Sequence, residues 1–192
     1  MKHILRISSV IFVGYFFFCD LPFSLANGNT TITANYYTDA KALIDQVNSR
    51  RARQIVSELY SQPKAWDSLL RNIATGADSW LRVAVALHPG SDAGASEMLT
   101  LSVGEALENA PENVFRIAID EFRLDSICTA PDVDDVRYNS FELAMNGIKK
   151  RQNRIAAISD PTLKNKSKKC IQFLEESKKG VAKFYGISNQ PR

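Results

Sequence analysis

The sequence predicts an all-α protein: antiparallel helical hairpins, about six to eight helices in all, stacked in a HEAT-like or irregular bundle. Three observations carry that expectation. From about position 38 onward apolar residues recur at three- and four-residue spacing, and no stretch alternates convincingly with a period of two. Proline, glycine, aspartate and asparagine punctuate the pattern after every few helical turns.

Ahead of the helices stands a segment of another kind. Met1 to Arg6 is a short basic lead, Ile7 to Phe18 is apolar apart from Ser8, Ser9 and Gly14, and Ser24-Leu25-Ala26 follows Pro22. Those are the three parts of a cleavable signal peptide, so cleavage is expected after Ala26 and a periplasmic or secreted location for the remainder. Asp20 and Pro22 interrupt the apolar run before the ~20 residues that a membrane span needs. Three phenylalanines precede Cys19, where a lipoprotein signal has small residues. Residues 27–37 are polar and read as a flexible N-terminal arm, which leaves 38–192 as a single helical domain.

The elements follow in order. Ala40, Leu43, Ile44 and Val47 mark one helical stripe and Ala52, Ile55, Val56 and Leu59 another, with Asn48-Ser49 either capping the second or lying inside one continuous helix. Pro63 suits a first helical turn, Trp66, Leu69, Leu70 and Ile73 form its apolar side, and Gly76 is its stop. Asp78 is placed to cap a helix through Leu81, Ala84 and Val85 that ends at Pro89-Gly90. Ser91 or Asp92 caps the next, carrying Ala95, Met98, Leu99, Ser102, Val103 and Ala106. Pro111 opens a helix expected to run through Val114, Phe115, Ala118, Ile119 and Phe122, and 127–137 reads as a loop. Asn139 and Glu142 have the spacing of a capping box ahead of a long helix through Phe141, Ala144, Met145, Ile148, Ile155 and Ala156. Asp160-Pro161 starts the last helix, with Leu163, Ser167, Cys170, Leu174 and Val181 along one side and Gly180 as a bend or an end.

Charge is segregated along the chain. Residues 27–148 hold 10 Lys and Arg against 17 Asp and Glu, whereas 149–192 hold 12 against 3. Such a division marks either a binding face for an anionic partner or two parts of one molecule that pack on each other. Lys149, Lys150, Arg151, Arg154, Lys168 and Lys169 are the candidate basic contact face. An exported chain without an aromatic stacking platform argues against nucleic acid and for a protein partner in the cell envelope.

Signatures of catalysis are sparse. His88 is the only histidine after the leader, which excludes His-rich zinc sites, and a histidine at a helix end ahead of Pro89 is expected to face the helix carbonyls. There is no Gly-X-Ser-X-Gly elbow, phosphate loop or dinucleotide fingerprint, so neither a catalytic residue nor a cofactor or metal is assigned. Asp132, Asp134 and Asp135 lack the glycine and the twelfth-position acid of a calcium loop, Leu143 standing there instead; solvation, capping or pairing with Arg137 is expected. Glu97, Glu105, Glu108, Asp120 and Glu121 are available for paired-carboxylate glycan chemistry, but each falls where a solvated helix face places a charge. The stretch Pro89, Gly90, Ser91, Asp92, Gly94, Ser96 and Glu97 is the candidate ligand or contact site, because small residues at a helix start admit another backbone or expose N–H groups. Cys128 and Cys170 remain after the leader, and an exported chain with an even count most simply pairs them; two buried thiols are the alternative.

Several of these segments together resemble a known pattern. Trp66-Asp67-Ser68-Leu69-Leu70, Ile73-Ala74-Thr75-Gly76, Trp80-Leu81, the 89–97 stretch and Pro131-Asp132-Val133-Asp134-Asp135 are similar to those of uncharacterised exported α-helical proteins of Gram-negative bacteria. The resemblance covers about Arg50 to Cys170 and implies a periplasmic setting, together with a bridge from the cysteine before the Pro-Asp-Val-Asp-Asp loop to the last helix. It implies no activity. The function expected is therefore protein–protein interaction, as an inhibitor, an immunity-type protector or an envelope scaffold. A cell-wall glycan hydrolase is the rival from another class, and a structural or stress-related protein the third.

Overall fold

The computed structural model describes residues 39–187. Cleavage after Ala26 and the arm at 27–37 fall outside them. Among the described residues the protein is all-α, with ten α-helices, two short 3-10 turns and no strand.

Local chemistry sets most of the boundaries. Helix α1 (Ala40–Ser49) begins where the Asp39 carboxylate accepts from the N–H groups of Lys41 and Ala42. The chain is extended at Arg50 and Arg51, so α2 (Ala52–Tyr60) is a separate helix. Helix α3 (Pro63–Ala74) starts on its proline and stops ahead of Gly76, whose φ of 73° belongs to the left-handed region. Asp78 does not cap α4 (Asp78–Leu87). It sits in the first turn, where its charge suits the helix dipole and its side chain turns to Arg82. A 3-10 turn over His88–Gly90 leads to α5 (Ala93–Ala106), capped by Asp92.

The helix expected after Pro111 is divided. It becomes α6 (Pro111–Ile117) and α7 (Ile119–Phe122), and a further short helix, α8 (Leu124–Ile127), follows, which raises the count above the six to eight expected. Between the last two, Arg123 has φ 58°, the one positive value at a non-glycine position among the described residues. A side chain there costs backbone strain. Helix α9 (Phe141–Ala156) begins one residue later than the capping-box reading: Ser140, not Asn139, accepts from the Leu143 N–H at 3.2 Å. Helix α10 (Lys164–Phe184) runs straight through Gly180.

The most extensive packing joins α9 with α10, α3 with α5 and α1 with α4. Only the first pair is adjacent in sequence, so of the two arrangements expected the molecule adopts the irregular bundle. Leu59, Leu69, Ile73, Leu81, Leu87, Leu99, Phe115, Ile148 and Leu174 lie in one continuous core, each at 1% exposure or less. Burial of such side chains stabilises by about 1.5–3 kcal/mol apiece. Cys128, just after α8, and Cys170, mid-way along α10, form a disulfide that is itself buried. None of the described helices is long and apolar enough to cross a membrane.

Candidate functional site

A cleft of about 720 Å³ lies between α3, α5 and the 129–138 loop. Helical spacing builds its floor: Leu70 and Ala74 are one turn apart on α3, Met98 and Leu101 three apart on α5. Leu101, one of the residues lining the cleft, is an apolar side chain left 37% exposed. Carboxylates of Asp67, Glu105, Asp132 and Asp135 and the cations Arg71 and Arg137 stand around it.

The loop forming one wall is held by ions. Arg137 donates from one terminal nitrogen to Glu105 Oε1 and from the other to Glu105 Oε2 at 2.9 Å, and it also holds Asp135 Oδ2 at 2.6 Å. These bonds keep the Asp135 carboxyl below its ordinary value of 3.8 and raise the guanidinium above its own. Asp135 therefore pairs with Arg137, one of the roles expected for the acidic loop.

Behind the wall lies a buried charge that the sequence placed on a solvated face. Glu108 is only 4% exposed. Its Oε1 accepts from Arg151 Nε at 3.1 Å and from the Tyr138 hydroxyl at 2.9 Å, and its Oε2 meets Lys150 Nζ at 3.1 Å. Burial pushes this carboxyl up, but the Arg151 charge and the three hydrogen bonds prevail and hold it below its usual 4.5. The same burial, together with the bond to Glu108, pushes the Tyr138 phenol up to about 12. Arg151 spends a further donor on the Thr129 carbonyl at 2.9 Å, and the Tyr138 carbonyl accepts from the Tyr185 hydroxyl at 3.2 Å. On the α9 side, a Cβ at Gly147 would stand 2.9 Å from both Pro131 and Tyr138, so the loop packs where only glycine leaves room.

Those bonds correct the basic face. Arg151, expected on it, is 3% exposed and serves the wall from inside. Lys150 pairs with Glu108, and Arg154 donates to the Asn109 carbonyl at 2.7 Å. Lys149, Lys168 and Lys169 remain exposed, with no ion-pair partner among the described residues.

The 89–97 stretch makes room for another backbone. A Cβ on Gly90 would fall 2.3 Å from the Arg53 nitrogen, which lets the start of α2 close onto this turn. Gly90, Asp92 and Ala95 border a second cavity of about 410 Å³ facing Arg53, Ser57 and Tyr60 on α2. His88 does not turn to the helix carbonyls as expected. Its Nδ1 meets Glu121 Oε1 at 2.8 Å and its Nε2 meets Ser96 Oγ at 3.1 Å, with Phe122 packed against the ring. A carboxylate can only accept, so in neutral His88 the Nδ1 carries the proton and Ser96 donates to Nε2. Serine, histidine and acid thus stand in the order of an acyl-transfer triad. Ser96 is not among the residues lining the cavity beside it. The three residues tie the 88–90 turn, α5 and α7 together. Glu97 is exposed on α5, and Asp120 is exposed on α7, 3.7 Å from Lys166. No group of three or more metal-ligating side chains lies together among the described residues.

Comparison with family models, curated proteins and solved structures finds no match to this chain.

Proposed function

We propose that this is an exported, periplasmic binding protein of the helical group it resembles, which holds a partner protein in the α3–α5 cleft. One observation carries the reading: an open apolar floor that includes the exposed Leu101 faces a wall whose ions are paired with one another. Glu105 and Asp135 are both paired with Arg137, and Glu108 is held ionised by Arg151, so these carboxylates fix shape and are poorly placed to hand protons to a substrate. Such a preorganised cleft favours contact, because little side-chain freedom is lost when a partner enters. Asp67 and Asp132 have no cation of their own among the described residues, which favours a partner segment presenting a lysine or arginine beside an apolar side chain.

The test is affinity capture from the native envelope fraction, using protein purified after export of the full chain, in parallel with a Leu101→Arg variant. A near-stoichiometric partner that the variant loses supports the cleft. The same partner on both proteins, or none at low salt, overturns it. Digestion of cell-wall glycan by the unaltered protein, or labelling of Ser96 by a fluorophosphonate, would move the function to the hydrolase class instead.

A further inference from the structure

A second surface is built on the opposite chemistry. Phe141 and Met145 of α9 and Ala182 and Ile187 at the end of α10 floor a groove of about 520 Å³. Lys178, Lys179 and Lys183 form its rim. Lys178 is shared with Glu175 at 2.7 Å, whereas Lys179 and Lys183 have no ion-pair partner among the described residues. Beside them Phe184 stands out from the surface, 64% exposed. Elsewhere on α10, Lys164, Lys168 and Lys169 are likewise exposed and unpaired among the described residues, against the two acids Glu175 and Glu176.

Lysine stems cover apolar surface while their ammonium groups stay in water, so these lysines set positive charge around an apolar floor. An apolar layer under a layer of positive charge is the complement of a bilayer interface carrying anionic headgroups. The protruding ring decides between that and an acidic protein segment. A protein partner needs a pocket shaped for Phe184, whereas a lipid interface accepts an aromatic ring without a matched shape. We propose that the C-terminal end of α10 docks on an anionic phospholipid surface, with Phe184 entering the interface and Lys179 and Lys183 meeting lipid phosphates. The docking does not depend on the cleft being a partner site, and none of its residues lines that cleft.

The experiment is flotation of the exported protein with vesicles of phosphatidylcholine alone and with about one-third phosphatidylglycerol. Binding is expected only to the anionic vesicles, and high salt should abolish it. Replacing Lys179 or Lys183 with Ala should weaken it about fivefold each. Phe184→Ser should weaken it by a similar factor while lowering the thermal midpoint only slightly, since the ring is 64% exposed and its one aromatic contact among the described residues is with Tyr185. Equal binding to both vesicle types, or none to either, overturns the proposal. So does an acidic protein that the same variants lose in envelope capture, because the groove would then be a protein-docking face. Loss of the cleft partner in Leu101→Arg leaves vesicle binding intact, which keeps the two proposals apart.

Discussion

The cleft and the groove handle charge in opposite ways. At the cleft, Arg137 and Arg151 are bound to carboxylates and to backbone, and their positions are fixed by several bonds each. At the groove, Lys179 and Lys183 bind nothing among the described residues. Arginine's planar fork suits the first task and lysine's flexible point charge the second. The excess of cations after residue 148 is therefore not one face. Part of it is built into the interior to position an acidic wall, and part is left free for whatever approaches α10.

That contrast can be broken from the cleft side with large effects. Arg151→Met should cost about 3–5 kcal/mol, because it breaks a buried ion pair and leaves Glu108 with the half-exposed Lys150 as its remaining cation. Urea unfolding measures it, and adding Glu108→Leu should recover much of the loss if the charge, rather than packing, is responsible. Next in size is the disulfide. Converting Cys128 and Cys170 to Ser reopens a loop with a sequence separation of 42 residues. Chain entropy predicts a loss of about 4 kcal/mol, with about 2–4 kcal/mol the usual range, read from unfolding with and without reductant.

Acid provides a finer probe. Because the folded Glu108 carboxyl lies below its ordinary value of 4.5, its contribution is complete above that pH and is lost as pH falls through the folded value. Stability measured below pH 4.5 should therefore decline less steeply in Glu108→Gln than in the parent. A parallel slope in both would place the acid sensitivity elsewhere. Smallest of all, Lys179→Ala and Lys183→Ala should change stability by no more than about 0.5 kcal/mol, since each removes an exposed, unpaired charge. A larger loss in the thermal midpoint would mean that the rim is structural.

How far the chain could be read in advance varies by element. The stripe Leu163, Ser167, Cys170, Leu174 and Val181 is buried throughout, because one amphipathic helix lying on one core repeats its own geometry. Gly76 was equally legible, being local backbone chemistry, and Asp92 was one of the two caps expected for α5. The signal for Arg151 was present and outweighed: it lies in phase with Ala144, Ile148 and Ile155 on the buried side of α9, but the run Lys149-Lys150-Arg151 reads as a solvated patch. Glu108 carried no such sign. Its partner on α9 is 43 positions away, and only the packed fold brings them together. The break between α7 and α8 was hidden for a different reason, since Arg123 takes a backbone conformation that no residue type in that stretch advertises. The cleft belongs with Glu108, as it is made by α3, α5 and a loop well separated in sequence, whereas the groove lies between the neighbouring helices α9 and α10.

The Cys128–Cys170 bond encloses the cleft wall and the whole of α9 in one covalent ring. A ring sets an effective concentration for its own contents: the loop cannot diffuse far from the helix that braces it, whatever the fluctuations of the rest. Thiol chemistry and partner affinity are thereby joined as two readings of a single equilibrium. Opening the ring makes the wall costlier to assemble, and by reciprocity any molecule that needs the assembled wall makes the bond harder to reduce.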